Sequence, residues 1–276
     1  MKIFITGGTG FIGKSLVEYY AAAGHKISTP LRGHNLVLWL NHAIPDLIIN
    51  SAGEIYNPSS MVESNIGITH TILEWLRNNP TTKLVQIGSS SEYGRLPGPS
   101  AETDKINPTN VYDATKGAAT LLCQGYARQF NLRTVIARPY SVYGAHEPAR
   151  RLFPHLYEAF FHNKPMELHA GTHDFIYIDD FIRGIDIVAT ADTSPGEIVN
   201  FGSGATTNNF QVQLLWEKVT GKTAPIKHVA RYLRPQDTDF WCCDTTYARD
   251  KYGFSTEYSL EQGIEKFISE KLKNET

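Results

Sequence analysis

The chain has few cysteines, no excess of basic charge and no long apolar run, and each of these shortages excludes a class of protein. Its 276 residues include only three cysteines, two of them adjacent at Cys242 and Cys243. Three cysteines in this arrangement build neither a disulfide framework nor a zinc site, and the ten histidines show no metal-ligand spacing either. We therefore expect a cytoplasmic protein that holds no metal ion.

Charge and hydropathy exclude two further kinds of partner. The 26 basic residues are balanced by 28 acidic ones, so no basic excess is available to neutralise a nucleic acid backbone. The apolar run before the first glycines is too short for the core of a signal peptide. The longest apolar stretches, such as residues 36–40, fall far short of the roughly 18 residues expected of a membrane span. We expect a soluble protein with neither nucleic acid nor membrane as a partner.

Short β-branched runs alternate with helix-like stretches through the first half of the chain. Strands are predicted at residues 2–6, 25–29, 46–50, 83–88 and 134–138. Helices are predicted between them at residues 14–23, 35–43, 67–78 and 111–130. Strands that alternate with helices form a parallel sheet with crossover helices on both faces. The sequence therefore predicts an α/β fold with a doubly wound parallel sheet, whose ligands lie at the carboxyl ends of the strands.

The alternation weakens after residue 140, where proline-containing loops and a second set of short elements begin. A strand that leads into a helix is predicted at residues 174–180, a further strand at 198–201, and further helices at 207–220 and 260–271. We therefore divide the chain into a domain of residues 1–140 and a smaller carboxyl-terminal region of residues 141–276. This second region is expected to bind mainly the substrate and to return later segments to the sheet.

A glycine-rich segment, GGTGFIG at residues 7–13, lies between the first predicted strand and the first predicted helix. Its glycines at positions 8, 10 and 13 match the dinucleotide-binding fingerprint in the context that the fingerprint requires. A side chain there would keep the backbone away from the pyrophosphate, which lies at the amino terminus of the helix. A plain tight turn is the alternative. We expect the domain to bind NAD(P), with cofactor contacts from Gly7, Gly10, Phe11, Ile12 and Gly13.

The segment after the second predicted strand lacks the acidic residue that usually accepts a hydrogen bond from the adenosine ribose. No Asp or Glu occurs between Glu18 and Asp46, whereas Arg32 follows the strand, with His34 close behind. An arginine suits the 2′-phosphate of NADP, so we expect NADP rather than NAD, with Arg32 as the main contact. The alternative is an arginine in a solvated loop.

Tyr112 and Lys116 are four residues apart at the start of a predicted helix, so both side chains project from one face. A tyrosine with a pKa near 10 is a poor proton donor or acceptor at neutral pH until a cation stabilises its phenolate. Lys116 supplies such a charge. Because this spacing also arises by chance, a surface pair is the alternative for the two residues taken alone.

The segment GSSSEYG, residues 88–94, places hydroxyl groups at the end of a predicted strand. With the glycine loop, this serine segment and the Tyr/Lys pair in this order, the chain resembles the extended short-chain dehydrogenase/reductase superfamily. More narrowly, it is similar to the NAD-dependent epimerase/dehydratase family, which acts on nucleotide sugars. Further matching motifs cover nearly the whole chain and lie at residues 50–53, 63–67, 138–144, 174–180 and 234–237. The resemblance implies a Rossmann-like fold.

The resemblance also implies a role for individual residues. Tyr112 would be the acid–base, and Lys116 would hold the nicotinamide ribose and lower the pKa of the tyrosine. The catalytic serine would be Ser89, which lies four residues before Tyr93, with Ser90 as the alternative. Further cofactor contacts would come from Ser51, Ala52, Gly53 and Pro139. Substrate contacts would come from Ser90, Ser141 and Arg234. Apart from the resemblance, Arg150, Arg151 and Arg231 are weaker candidates for a phosphate contact, and a solvated arginine is the alternative for each.

The sequence departs from the family pattern at two positions of the nucleotide end. Ser141 stands where the family often has Asn, and His173 where it has Arg. These two departures put the usual diphosphate contacts in doubt.

The resemblance narrows the reaction as well. Family members that remove water place Asp-Glu directly after the catalytic Ser or Thr, whereas this chain has Ser90 and Ser91, so 4,6-dehydration is not expected. Members that also epimerise carbons 3 and 5 add a cysteine, and Ser91 stands near that position. The remaining reactions are NADPH-dependent reduction of an NDP-4-keto-(6-deoxy)hexose, which the expected NADP preference favours, and 4-epimerisation with tightly held NAD(P).

Two further expectations concern the class of protein and its assembly. The alternative to an enzyme is a regulator that senses NADP(H) without catalysing a reaction. Joint presence of Ser89, Tyr112 and Lys116 favours an enzyme, because a sensor would not need all three. The resemblance implies a homodimer through the predicted helices at residues 67–78 and 111–130.

Overall fold

The computed structural model describes residues 1–232, 238 and 240–275. Its strands are, in chain order, β1 (Lys2–Thr6), β2 (Lys26–Ser28), β3 (Leu47–Asn50), β4 (Lys83–Ile87), β5 (Thr134–Pro139), β6 (Ser141–Tyr143), β7 (Met166–Ala170), β8 (Thr172–His173), β9 (Phe175–Tyr177), β10 (Glu197–Phe201), β11 (Thr207–Asn208) and β12 (Ile226–Tyr232). Its α-helices are α1 (Phe11–Ala22), α2 (Leu36–Ala43), α3 (Pro58–Met61), α4 (Ile68–Arg77), α5 (Val111–Phe130), α6 (Leu152–His162), α7 (Ile178–Thr190), α8 (Asn209–Thr220), α9 (Thr246–Tyr252) and α10 (Leu260–Glu275). A π-helical turn, Val62–Gly67, joins α3 to α4, and a 3₁₀ turn spans Ser90–Tyr93.

Six strands form the central sheet, in the order β10-β5-β4-β3-β1-β2. All neighbouring strands in this sheet are parallel. The predicted α/β fold with a doubly wound parallel sheet is thereby confirmed. β10 comes from the second half of the chain and pairs with β5, so the sheet includes a strand from beyond residue 140.

Helices cover both faces of the sheet because successive side chains of a strand point to opposite sides. In β1, Ile3 and Ile5 pack in the core shared with α1 and α7, whereas Phe4 packs in the core shared with α2, α4 and α5. These three side chains are almost fully buried. The buried strands therefore carry apolar residues at successive positions, which is typical of a parallel sheet covered on both faces.

Among the described residues, three two-stranded pairs lie outside the central sheet. β6 pairs with β9 and β7 with β12, both in parallel, and β8 pairs with β11 in antiparallel orientation. These strands are only two to seven residues long, and the weak alternation after residue 140 did not predict most of them. Within the described ranges, no helix is long and apolar enough to span a bilayer.

Candidate active site

The glycine loop joins β1 to α1 at the carboxyl edge of the sheet. Gly7 adopts φ of +67°, and a Cβ atom there would lie 2.8 Å from the backbone nitrogen of Ala52. A Cβ atom at Gly13 would overlap the carbonyl oxygen of Gly7. Both positions therefore require glycine, and the loop lies directly against the segment that follows β3.

The amino terminus of α1 is open toward this loop. Gly10 caps the helix without a side-chain hydrogen bond, and no acidic residue lies in the first turn. The first backbone N–H groups of a helix lack partners within the helix and attract anions. Phe11, Ile12 and Gly13 begin the helix, so a cofactor pyrophosphate fits this cradle.

The loop after β3 carries Ser51, Ala52 and Gly53 beside the glycine loop. The backbone N–H of Ala52 donates to Thr6 Oγ1 at 3.1 Å, which ties the ends of the adjacent strands β1 and β3 together. Asn65 supports the same loop, because its side chain accepts from the backbone of Glu54 and donates to Thr115 Oγ1 on α5 at 2.9 Å. The predicted cofactor residues of these two loops are therefore neighbours.

Arg32 lies on the exposed loop that follows β2. The charge of Arg32 acts on Glu54, in the loop after β3. The backbone N–H of Tyr56 is the main cause that lowers the pKa of Glu54, and the Arg32 charge adds to it. Arg32 therefore lies near the loop after β3, which adjoins the glycine loop.

Tyr112 and Lys116 lie in the first turns of α5, which begins at the capping residue Asn110. The ammonium group of Lys116 is buried and donates to the carbonyl oxygen of Ile87, the last residue of β4. Ser89 follows two residues later, and its hydroxyl group lowers the pKa of the half-buried Tyr112. The structure thus brings the three predicted catalytic residues together at the carboxyl end of β4.

Burial sets the protonation states in this cluster. It raises the pKa of Tyr112 to about 12, while the hydrogen bond from Ser89 opposes the rise. Burial also lowers the pKa of Lys116, and the nearby Glu92 carboxylate opposes that fall. Tyr112 is therefore a neutral phenol at pH 7, able to donate its proton.

Glu92 lies beneath the cluster in the 3₁₀ turn and is completely buried. Its carboxylate accepts from the backbone N–H of Ser89 at 2.8 Å and forms an ion pair with Arg138 at 2.7 Å. Arg138 in turn lies over the ring of Tyr93, with 4.5 Å between the guanidinium carbon and the ring centroid. Sequence reasoning missed this pair, because Glu92 and Arg138 are far apart in the chain.

Ser90 accepts a hydrogen bond from the indole nitrogen of Trp241 at 3.2 Å. The residues after Trp241 are fixed, because Cys242 accepts from the backbone of Ser100 and Cys243 donates to the buried Asp174. Sequence reasoning also missed Trp241, although it lies shortly after the motif at residues 234–237. The predicted substrate contact Arg234 lies outside the described residues.

The two departures from the family pattern lie together in space. Ser141 Oγ is 3.3 Å from His173 Nδ1, where β6 and β9 run side by side. Pro139 ends β5 just before this pair. The serine at position 141, which is shorter than the asparagine of the family pattern, is thus in contact with the imidazole at position 173.

Arg151 approaches the cluster from the loop before α6. Its Nε forms an ion pair with the buried Glu147 at 2.9 Å, and its guanidinium carbon lies 5.7 Å from the ring centroid of Phe11. Its charge also lowers the pKa of Tyr112, against the larger effect of burial. Arg151 is thus a cation between the glycine-loop helix and Tyr112, whereas Arg150 lies over the ring of Tyr56.

All three cysteines, Cys123, Cys242 and Cys243, are buried free thiols. Among the residues that the structure describes, no group of three or more His, Cys, Asp or Glu side chains could hold a metal ion.

Comparison with known proteins gives concordant matches. The model of the NAD dependent epimerase/dehydratase family matches residues 3–202. The UDP-glucuronate 4-epimerase of Thermodesulfobacterium geofontis is 30% identical over 224 residues, which cover 79% of this chain and 68% of that protein. The dTDP-glucose 4,6-dehydratase of Haemophilus influenzae is 24% identical over 334 residues, which cover 99% and 98%.

A solved structure with the same fold is that of UDP-glucuronic acid 4-epimerase from Bacillus cereus in complex with UDP-glucuronic acid and NAD. It matches with a TM-score of 0.88 and 24% identity, over 99% of this chain and 100% of that one.

Proposed function

The chain belongs to the NAD-dependent epimerase/dehydratase family, and from this membership we propose that it performs redox chemistry at carbon 4 of a nucleotide sugar. The observation that carries the proposal is the meeting of Ser89, Tyr112 and Lys116 at the carboxyl end of β4. We further propose that the protein acts in the cytoplasm, where its three free thiols would stay reduced.

The residues of the glycine loop and its neighbours fit an NAD(P) cofactor. Gly7, Gly10, Phe11, Ile12 and Gly13 would hold the pyrophosphate at the open amino terminus of α1. The adjoining contacts are assigned to Ser51, Ala52, Gly53, Pro139 and Lys116. The nicotinamide, when bound, supplies the acceptor and donor of a hydride.

Tyr112 would move the proton of the sugar hydroxyl at carbon 4. Its phenol donates a proton to the oxygen when the ketone is reduced, and the phenolate accepts one when the alcohol is oxidised. Ser89 would donate a hydrogen bond to the same oxygen as it gains charge. The ammonium group of Lys116 would stabilise the phenolate, and the positive charge of Arg151 acts in the same direction.

Epimerisation at carbon 4 is the first candidate, because the site offers the groups for oxidation and reduction alone. Dehydration needs a further acid and base, whereas Ser90 and Ser91 are neutral. The nearest carboxylate, Glu92, is buried and paired with Arg138, so it is not available to take a proton from carbon 5. The match to a 4-epimerase supports this candidate, and the match to a dehydratase makes dehydration an outcome that the experiment must report.

Reduction of an NDP-4-keto-6-deoxyhexose is the second candidate, and the position of Arg32 favours it. Arg32 lies in the loop after β2, with no acidic residue between Glu18 and Asp46. A cation at this position suits the 2′-phosphate of NADP. An enzyme that consumes NADPH is better suited to net reduction than to epimerisation.

A substrate panel tests the proposal. The purified protein would be incubated with UDP-glucuronate or UDP-glucose and NAD, and separately with NDP-4-keto-6-deoxyhexoses and NADPH. Epimerisation gives a new carbon 4 stereoisomer by NMR, and reduction gives stoichiometric loss of NADPH absorbance. Tyr112→Phe should abolish either activity while cofactor binding persists.

Tyr126→Phe is the matched control, because Tyr126 lies on the same helix and its hydroxyl bonds Glu74 instead of the cluster. It should leave turnover unchanged. Cofactor binding without turnover of any panel member would contradict the proposal and favour the NADP(H)-sensing regulator.

A further inference from the structure

We propose that Glu92 is a positioning residue of the proton-transfer site, which fixes the main chain at Ser89 and presents its negative charge to Lys116 and Tyr112. Arg138 holds the carboxylate in place. This inference rests on the proposed function, because it assigns Ser89, Tyr112 and Lys116 to proton transfer. Glu92 itself would touch neither the cofactor nor the sugar.

The two carboxylate oxygens of Glu92 accept hydrogen bonds from different residues. Oε1 accepts from the backbone N–H of Ser89 at 2.8 Å, and Oε2 accepts from Nε of Arg138 at 2.9 Å. Neither side chain has any exposed surface. Hydrogen bonds to a buried charge are stronger than those between neutral groups, so the carboxylate holds the Ser89 backbone firmly.

The fixed backbone orients the Ser89 hydroxyl. Ser89 Oγ accepts from the backbone N–H of Ser91 at 3.2 Å and lies 2.8 Å from Ser91 Oγ. When Ser91 donates through both groups, the proton of the Ser89 hydroxyl is left for Tyr112 or for the sugar oxygen. Glu92 and Ser91 therefore act together to turn the hydroxyl toward the reaction.

The sequence beside Glu92 is adapted to this arrangement. A Cβ atom at Gly88 would lie 2.7 Å from Glu92 Oε1 and 3.0 Å from a side-chain carbon of Arg138. The carbonyl oxygen of Glu92 accepts from the backbone N–H of Asn107 at 2.9 Å, which fixes the turn from the opposite side. Gly88 thus leaves the space that the ion pair fills.

The ion pair presents opposite charges to different sides. Burial raises the pKa of Tyr112, and Glu92 raises it further by a smaller amount. Burial lowers the pKa of Lys116, and Glu92 opposes this fall. Arg138 instead acts on Tyr93, whose ring it covers. The cluster at the end of β4 is therefore exposed to the negative end of the pair.

Other charged groups also face Tyr112, and they are distinct in sign and position. Burial, Ser89 and Glu92 have the largest effects on the pKa of Tyr112. Arg151, from the loop before α6, lowers this pKa by a smaller amount, and Asp113, on α5 itself, raises it by a smaller amount. Lys116 is contacted by the Ile87 carbonyl, and Cys123 is the further group that raises its pKa. Removal of Glu92 should therefore lower the pKa values of both Tyr112 and Lys116.

Stability alone does not account for such a pair. Two charges lose their hydration on burial, and apolar residues of similar volume often stabilise a fold equally well. Loss of one partner is different, because it leaves the other charge unpaired and strongly destabilises the protein. The test must therefore remove both charges at once.

The test uses the double substitution Glu92→Gln with Arg138→Met in the full chain. The amide oxygen of glutamine still accepts from Ser89, so the turn is retained without charge. We expect a folded protein that binds NADH as the wild type does. The midpoint of Tyr112 ionisation should fall by about one pH unit, because, of the two charges removed, only the negative charge of Glu92 acts on Tyr112.

This midpoint is measured by the ultraviolet absorbance of tyrosinate. The absorbance of the same protein with the additional substitution Tyr112→Phe is subtracted, so that only the signal of Tyr112 remains. With a substrate from the panel, the pH profile of kcat should shift to lower pH together with the Tyr112 midpoint while KM stays unchanged, which marks an effect on the chemical step. The titration needs no substrate, so it reports on Glu92 even when no nucleotide sugar is turned over. Absence of wild-type turnover would instead count against the proposed function.

Asp180 and Arg183 provide the matched control. Their ion pair measures 2.8 Å, and Asp180 is buried and accepts from the backbone of Glu257 and Tyr258, in a different part of the molecule. Asp180→Asn with Arg183→Met should leave the Tyr112 midpoint and kcat unchanged. An unchanged midpoint in the folded Glu92/Arg138 variant, or an equal shift in the Asp180/Arg183 variant, would overturn the proposal.

Discussion

The hydroxyl group of Ser89 gains its role from its neighbours. Its backbone is held by Glu92, its oxygen lies within hydrogen-bond distance of Ser91, and its partner on the open side is Tyr112. A serine at a strand end is common in proteins, so its chemistry here depends on the direction in which its proton points. Ser90, the next residue, bonds Trp241 instead.

Substitution of each serine separates the two roles. Ser89→Ala removes the donor to the carbon 4 oxygen, so kcat should fall by about 10²–10³, as for loss of an oxyanion donor. Ser90→Ala removes a predicted substrate contact and should raise KM with little change in kcat. Steady-state kinetics on the active panel substrate measures both. The reverse pattern would assign the catalytic role to Ser90.

Arg32 decides the cofactor preference at the same scale. Arg32→Ala removes the cation expected at the 2′-phosphate, and NADPH affinity should fall about tenfold or more, while NADH affinity stays the same. Fluorescence titration with both dinucleotides measures this. Arg133→Ala serves as the control, because Arg133 is an exposed arginine that donates to Thr81 O at the opposite edge of the sheet. Equal affinity of the wild type for NADH and NADPH would contradict the prediction.

At the scale of elements, the sequence predicted best where a segment has one dominant pattern. The five strands of the first half and the long helix α5 lie within one or two residues of their predicted bounds. The helix predicted at residues 67–78 also lies within one residue of α4, but the π-helical turn at Val62–Gly67 and the short α3 before it were not predicted. Asn65 lies in that turn and bonds the loop after β3, a constraint that no local pattern reveals.

Long-range contacts account for most of what sequence reasoning missed. Glu92 and Arg138 are charged residues in segments predicted as a strand end and a strand, and only the register of β4 beside β5 brings them together. Trp241 reaches Ser90 from the carboxyl-terminal region because Cys243 is fixed to Asp174. The proximity of Ser89, Tyr112 and Lys116 was predictable because the family motif specifies their spacing along the chain, and their catalytic roles stay a prediction.

Lys83 stabilises the end of α7 from the first residue of β4. Its buried ammonium group donates to the carbonyl oxygens of Val188 and Ala191, both at 2.6 Å. Burial lowers the pKa of Lys83 to about 8, below the 10.5 of an exposed lysine. The unfolded chain therefore binds more protons than the native protein between these two values, so this group adds stability as the pH rises through that window.

Lys83→Met tests this contribution. The unfolding free energy of the wild type relative to the variant should increase by up to about 1.4 kcal/mol per pH unit between pH 8 and 10. Urea unfolding at several pH values measures the difference, and comparison of the two proteins removes the effect of groups that both share. A difference that stays constant with pH would contradict the assignment.

At the scale of the whole molecule, the two halves of the chain meet in one sheet. β10 extends the sheet beside β5, and the site uses residues from both halves, including Tyr112 and Trp241. The boundary at residue 140 therefore separates sequence patterns, and its status as a domain boundary stays a prediction. The alternation of strands and helices was sufficient to predict the parallel sheet, whereas the short paired strands after residue 140 gave no comparable signal.

Assembly into a homodimer is predicted through α4 and α5. Leu121 projects from α5 and is 58% exposed, and Val62 near α4 is exposed to the same extent. An exposed leucine on a helix suits burial against a second copy. In light scattering after gel filtration, Leu121→Glu should convert a dimer into a monomer, whereas Leu214→Glu, at a similarly exposed position of α8, should not. A monomeric wild type would contradict the prediction.

The most direct test of redox chemistry at carbon 4 is NMR of the panel reactions in D₂O. Oxidation and reduction at carbon 4 leave every carbon–hydrogen position of the sugar free of solvent deuterium, because the proton that Tyr112 moves lies on oxygen. We predict a product altered only at carbon 4, with no deuterium on carbon, and its loss in Tyr112→Phe. Deuterium at carbon 5 or 6 would show proton abstraction from carbon and would contradict the proposed reaction.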